Sequence, residues 1–156
     1  MTRKRPKADR INDCYIAYKA MRAGDEVKRH GAKDGSIPTH PVVDVPDVLE
    51  KEVVKACGKW LTRHNIFWSR HETGAGNIAG VGYATYGIKN AGDIIGLLRP
   101  SGRHFEIECK RGRGGRLSKG QQKRRLDIKK NNGIYLVVHG VGELEYLIKD
   151  YHIWEH

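Results

Sequence analysis

The segment HFEIECK, residues 104 to 110, alternates its side chains in a way that suits an extended chain: Phe105, Ile107 and Cys109 fall on one face, Glu106, Glu108 and Lys110 on the other. The apolar set makes a core face. The charged set is either a solvated face or a site, and alternation alone favours the solvated face. Just upstream, GDIIGLL (92–98) reads as a second strand, and the Arg99-Pro100-Ser101-Gly102 between them is a tight-turn sequence whose glycine can take positive φ. The two strands are therefore expected to pair antiparallel. A hairpin about Pro100 and Ser101 sets Asp93 opposite Glu108, and a three-residue turn with Gly102 left-handed, which Pro100 favours, shifts this by one. In either register their Cβ atoms lie within roughly 5–8 Å.

The flanking chain supplies the rest of one domain. In DVLEKEVVKACGKWLTRHN, from Asp47, the residues Val53, Val54, Cys57 and Leu61 form a single apolar stripe, and Asp47 stands where it could cap the first turn. IFWSRH (66–71) reads as a strand, and residues 72–91, with five glycines, as a long loop. After a basic glycine loop, LSKGQQKRRLDIKKNN carries helix signals at both ends, Ser118 as N-cap and Asn131, Asn132 and Gly133 as C-cap. GIYLVVHG is a buried strand and GELEYLIKDYHIW a closing helix. The order from Asp47 is α, β, β, β, α, β, α. Residues 1–46 differ in character. Arg3, Lys4, Arg5, Lys7 and Arg10 against Asp9 read as a flexible basic arm, Ile11, Tyr15 and Tyr18 as a short helix to about Ala23, and the glycines and prolines of 24–46 as a linker. The chain thus divides into 1–46 and a domain at 47–156, with no internal repeat.

At 156 residues a single core suffices without disulfides or structural metal. The net charge of +11 suits a polyanionic partner, nucleic acid ahead of an anionic membrane. No apolar run approaches the ~18 residues of a spanning helix, and MTRKRPKADR has no apolar stretch behind its charges, so a cytosolic, non-membrane protein is expected. Cys14, Cys57 and Cys109 form no CxxC pair and the eight histidines are scattered, which argues against a disulfide framework or a preformed zinc site.

Two carboxylates and an amine in one small volume meet the needs of phosphodiester hydrolysis with magnesium. Asp93 and Glu108 would be hard oxygen ligands, a backbone carbonyl and waters would complete an octahedral shell, and Lys110 would orient the attacking water or offset developing negative charge. A bare D…ExK pattern is weak evidence. Here it arrives as Asp at the head of one strand and ExK near the end of its antiparallel neighbour, followed by a basic helix and a buried strand. That layout resembles the PD-(D/E)XK nuclease superfamily. More closely, residues 50–139 resemble a stand-alone VRR-NUC domain, the virus-type replication-repair nuclease module, through EKEVVKAC, WSRHETGAG, AGDIIGLLRPSGRHFEIECK, GGRLSKGQQ and NNGIYLVV in that order.

The resemblance implies an α/β fold with a restriction-endonuclease-like αβββαβ core, a mixed sheet flanked by helices. It implies Mg²⁺ or Mn²⁺ bound by Asp93, Glu108 and the backbone carbonyl of Cys109, Lys110 at the water, Gln121 near the metal-bound water, and a helix glutamate completing the site. Glu52 is preferred over Glu50 for that place because it aligns better with the family's helix motif. Gly92 stands where the family usually has proline, and Cys109 where valine is common. The implied activity is cleavage of DNA, with branched or junction forms and a homodimer suggested by the pairing of stand-alone members. Ile11, Tyr15, Tyr18, Tyr146, Tyr151 and Trp154 offer apolar material for such a pair or for packing on their own domain.

Charge supports the same reading separately. Residues 110–130 hold ten Lys or Arg against one acid, Asp127, where a solvated helix normally intersperses acids. Arg111, Arg113, Arg116, Lys119, Lys123, Arg124 and Lys130 are the expected nucleic-acid contacts. Glu106 reads as a solvated or supporting group, Arg70 and His71 as surface residues, and Trp60, Trp68 and Trp154 as core or interface aromatics. GIY at 133–135 with YLI at 146–148 resembles the opening of another nuclease family, but only eight residues follow Ile148 and none is Arg. TGAGNIAGVG fits neither a Walker A loop nor a dinucleotide fingerprint. The rival reading is a basic nucleic-acid-binding module without catalysis.

Overall fold

A computed structural model of the chain describes residues 7–25 and 33–151, with side chains from residue 15 onward. Residues 1–6 of the expected basic arm (1–10), part of the expected linker at 26–32, and Trp154 within 152–156 lie outside the described residues, and the arm's residues 7–10 are not a free arm but the start of a helix. Helix α1 (Lys7–Ala23) leads to a short strand β1 (Ile37–Pro38) and then α2 (Glu50–Arg63). Strand β2 (Phe67–Arg70) is followed by β3 (Gly74–Ile78), β4 (Gly82–Tyr86), β5 (Ile94–Leu98), β6 (Arg103–Cys109) and the two-residue β7 (Arg116–Leu117). Helix α3 (Lys119–Lys130), strand β8 (Ile134–Val138) and α4 (Val141–Ile148) complete the order, and α4 ends in a 3₁₀ turn at Lys149–Tyr151.

The main sheet has the order β2-β5-β6-β8. Its first two pairings are antiparallel and β6 runs parallel to β8, so the chain must cross over, and α3 makes the crossover. The result is a mixed α/β fold in which helices flank a mixed sheet. On one face Ile94, Leu98, Phe105, Ile107, Cys109, Leu136 and Val138 pack against Val53, Cys57 and Leu61 of α2 and Leu144 and Ile148 of α4. On the other, Tyr18 and Met21 of α1 and Ile128 of α3 pack on Tyr135 and Val137, with Ile37 and Leu117 joining them. Burial on both faces explains why β8 is a continuous apolar run rather than an alternating one.

Strand β6 is also buried on both faces, although one of them carries carboxylates. Glu106 is 0% exposed and Glu108 4%, which excludes the solvated-face reading of the alternation. Leu98 pairs with Arg103 and Ile94 with Ile107, a register that continues to Asp93 opposite Glu108. Gly102 closes the turn at φ 68°, donating its N–H to the Leu98 carbonyl at 2.8 Å.

Three expectations are corrected. Residues 72–91 are not one loop: β3 and β4 form an antiparallel hairpin of their own, since Asn77 and Ile78 face Tyr83 and Gly82 across a turn containing Gly80 at φ 78°. Asp47 does not cap α2. The N-cap is Leu49, without a side-chain hydrogen bond, and Asp47 instead lies 3.6 Å from Arg111. The stretch 33–46 is not merely a tether, because Ile37 and Thr39 are buried and β1 pairs with β7. Tyr18 is likewise a core residue, 1% exposed, and is not available to a partner, whereas Tyr15 and Tyr146 are exposed. Among the described residues no helix is long and apolar enough to cross a membrane.

Candidate active site

The antiparallel register delivers Asp93 and Glu108 to one end of the sheet, and side-chain bonds gather the remaining groups around them. Asp93 Oδ2 accepts the backbone N–H of Cys109 at 2.7 Å, which ties the start of one strand to the end of the next. Glu108 Oε1 accepts from Lys110 Nζ at 2.7 Å and from Gln121 Nε2 at 2.6 Å. Gln121 is placed by a local device. Ser118 caps α3 by accepting the Gln121 N–H at 3.1 Å, while Gln121 Oε1 accepts the Ser118 N–H at 3.0 Å. One capping box thus fixes the helix start and aims the amide NH₂ at Glu108. Lys110 extends the parallel ladder beyond β6, donating its N–H to the Val138 carbonyl at 2.8 Å. Its side chain is only 8% exposed.

Burial dominates the electrostatics. It pushes the Glu108 carboxyl up to about 7, against the pull of the Lys110 ammonium and with a further push from Asp93. Burial also raises Asp93, opposed by the Cys109 N–H and Lys110. Glu50, in the first turn of α2, is raised by partial burial while feeling Lys110 and Asp93. The Cys109 thiol points into the core against Cys57, and its hydrogen bond to Cys57 together with burial holds it protonated.

Among the described residues no three His, Cys, Asp or Glu gather in a metal-binding group. The pair that does converge nevertheless fits a hard divalent ion. One oxygen each of Asp93 and Glu108 accepts no hydrogen bond from another described residue, and two carboxylate oxygens with a backbone carbonyl suit Mg²⁺ or Mn²⁺, which retain several waters. The structure places Glu52, the expected helix glutamate, in a groove with Lys51, Lys55, Trp68 and Arg70, whereas Glu50 is the one that feels the charges of Lys110 and Asp93. No family model, curated protein or solved structure matches the chain.

Glu106 has a role that its neighbour's chemistry had overshadowed. It accepts from Arg124 Nε at 3.4 Å and from Arg124 Nη2, from the Gly92 N–H at 2.9 Å, and lies 3.1 Å from His104 Nε2. Burial alone would raise its carboxyl, but these donors outweigh it and hold the group below its ordinary value. Gly92 supplies an N–H that a proline at this position would lack. A Cβ there would also stand 2.8 Å from the Ile107 carbonyl oxygen, so the close approach of the two strands beside Asp93 requires glycine.

The basic segment divides into structural and free cations. Arg124 is engaged by Glu106 and Arg116 by Ser36, at 2.8 Å to its hydroxyl and 3.0 Å to its carbonyl, so both expected nucleic-acid contacts also have partners within the chain. Lys123 pairs with Asp127 at 2.9 Å and Arg111 lies near Asp47, both at the surface. The side chains of Arg113, Lys119 and Lys130 are exposed and make no ion pair with another described residue. Arg70 is exposed and paired with Glu72, and His71 Nε2 accepts the Ile88 N–H at 2.9 Å.

Sequence reasoning missed a buried network behind Lys110. His139 Nδ1 lies 2.7 Å from Glu143 Oε2 and its Nε2 2.9 Å from Thr39 Oγ1, and Thr39 reaches the carbonyls of Gly114 and Gly115 through its hydroxyl and N–H. Arg22 Nη1 donates to the other Glu143 oxygen at 2.7 Å. The i, i+4 spacing of His139 and Glu143 directly after an apolar strand was the available signal. The β3–β4 hairpin, with Tyr83 and Tyr86 exposed, was concealed by its glycines.

Proposed function

We propose that the chain is a Mg²⁺- or Mn²⁺-dependent deoxyribonuclease that hydrolyses phosphodiester bonds, built on a restriction-endonuclease-like core of the VRR-NUC type. The observation that carries this reading is the gathering, at one end of a sheet beside a strongly basic helix, of the buried and bonded Glu108 and Lys110 with Gln121 bonded to Glu108 and the half-buried Asp93 held on the Cys109 N–H. Asp93, Glu108 and the Cys109 carbonyl would hold the ion. When bound, it would lower the pKa of a water and offset charge at the phosphate. Lys110 is the donor that orients that water or meets the developing negative charge, and its short bond to Glu108 limits where its ammonium can sit. Gln121 fixes the Glu108 oxygen that Lys110 shares. Arg113, Lys119 and Lys130 are the cations with charge to spare for the DNA backbone.

A homodimer acting on branched DNA extends the proposal, with Tyr15 and Tyr146 as its exposed aromatics. The alternative is a basic nucleic-acid-binding module whose buried carboxylates are structural. One screen separates them: labelled linear, nicked, flapped and four-way DNA with Mg²⁺, Mn²⁺, Ca²⁺ or EDTA. The nuclease cleaves at least one substrate with Mg²⁺ or Mn²⁺ and none in EDTA. Binding without cleavage under every condition would favour the module.

A further inference from the structure

Strand β8 is an edge of the main sheet, and alongside it, between the end of α1, the second half of α3 and the turn after α4, lies a cavity of about 250 Å³. None of its lining residues belongs to the cluster around Asp93. Among the described residues four cations line it, Arg22, Arg103, Arg125 and Lys129, against a single acid, Asp150. Most of these cations already have a fixed position: Arg22 Nη1 on Glu143 and Tyr18, Arg103 Nε on the Asn132 carbonyl with its guanidinium over the Tyr151 ring, and Lys129 Nζ on the Ala23 carbonyl.

What remains unexplained is a set of three donors. Among the described residues Arg22 Nη2, Arg125 Nη1 and Tyr135 Oη are buried without a hydrogen-bond partner, and Arg125 is only 6% exposed. A buried guanidinium nitrogen left without an acceptor is destabilising, and here two guanidinium groups and a phenol from three different elements share the same shortage around one cavity. An oxyanion supplies both of the missing things, negative charge and several acceptor oxygens presented in different directions. The cavity is smaller than the ~300 Å³ at which drug-sized ligand sites begin, so the occupant is small.

We propose that this cavity is a binding site for a phosphate group, held by Arg125, Arg22 and Tyr135. The group is either free, as inorganic phosphate or a mononucleotide, or the terminal phosphate of a DNA strand. The site is separate from the nuclease reading and stands whether or not the chain cleaves DNA.

The test uses the full chain in chloride buffer with EDTA, where no metal-dependent turnover competes. Inorganic phosphate is titrated and followed by ³¹P line broadening and by thermal unfolding. Saturable binding and a rise in melting temperature are expected for the wild type. Arg125→Leu and Tyr135→Phe should each weaken binding by about tenfold or more, while Lys55→Ala, on the far helix α2, leaves it unchanged. Without phosphate, Arg125→Leu should melt no lower than the wild type, because it removes an unpaired buried charge. If that variant does not fold, Tyr135→Phe, which loses one oxygen, still decides the matter. Competition by deoxyadenosine monophosphate, or by an oligonucleotide with a 5′-phosphate but not its 5′-hydroxyl twin, distinguishes the free from the strand-terminal source. No saturable phosphate binding up to about 10 mM, or binding undiminished in both variants, would overturn the proposal.

Discussion

Replacing Arg124 by methionine separates a structural cation from a DNA contact. Its guanidinium donates to Glu106, whose carboxylate is fully buried in the middle of β6 and also takes the Gly92 N–H. Removing one partner of a buried pair leaves an uncompensated charge, a loss of about 3–5 kcal/mol. Because the Arg124 side chain is 29% exposed, water can partly replace it, which places the expected loss near the lower end, about 3 kcal/mol. For a chain of this size that lowers the melting temperature by about 6–12 °C. Glu106→Gln combined with Arg124→Met leaves no ionised group behind, so the double variant should recover at least about 1 kcal/mol relative to additive losses. The folded-state carboxyl of Glu106 is held below its ordinary value, so the stabilisation is present above the unfolded-state value and disappears as pH falls through the folded one. The gap between wild type and Arg124→Met should therefore close in acid. Thermal and urea unfolding of the four proteins measure this. A wild-type melting temperature in Arg124→Met, with a salt dependence of DNA binding shallower by about 0.9 in log–log slope, would make Arg124 a phosphate contact and refute the pairing.

Glu108 predicts the opposite pH trend. Burial raises its carboxyl from 4.5 to about 7, so the folded state binds the extra proton and wild-type stability falls as pH rises between those values. Glu108→Gln should gain on the wild type between pH 5 and pH 8 in metal-free urea unfolding, by at most about 3 kcal/mol; parallel profiles would deny the burial effect. Converting Arg113, Lys119 and Lys130 to alanine should leave unfolding unchanged and flatten the salt dependence of DNA binding by about 0.9 in slope for each DNA phosphate that is no longer neutralised. Gln121→Ala breaks half of the capping box and should cost about 1 kcal/mol in stability as well as slowing cleavage, whereas an effect on neither would detach the capping box from the site.

The parts of the fold that were legible in the sequence are those governed by local chemistry. Ser118 and Gln121 announce the start of α3, and Asn131 with Gly133 its end, because capping is a contact between near neighbours. The antiparallel pairing of β5 with β6 follows from the turn sequence and the alternation of β6, but these left the register open by one residue, and the structure takes the unshifted one rather than the shift that Pro100 favoured. What could not be read depends on distant partners. Glu106 and Glu108 follow the same alternation and look alike in sequence, yet one takes Arg124 and the other Lys110 and Gln121, a division made by how α3 packs across the sheet. Glu50 and Glu52 sit in one helical turn, and sequence alone does not say how α2 is rotated about its apolar stripe, which leaves Glu50 feeling Lys110 and sets Glu52 in a groove with Trp68 and Arg70. The glycines of 72–91 suppress strand propensity, so the β3–β4 hairpin is recognised only by its backbone pairing. Residues 33–46 resemble a linker in composition, although Thr39 is buried between His139 and the Gly114 carbonyl.

The central claim is that Asp93, Glu108 and Lys110 perform metal-dependent chemistry on a DNA phosphodiester. It is tested most directly by measuring cleavage and binding of the same labelled DNA by the wild type and by purified, folded Asp93→Asn, Glu108→Gln and Lys110→Ala proteins. Cleavage is assayed in Mg²⁺ or Mn²⁺, and binding in Ca²⁺. Each substitution is expected to abolish cleavage while leaving affinity largely intact, since these residues act on metal and water rather than on the DNA backbone. Wild-type turnover in any one of the three would remove that residue from the site and contradict the account.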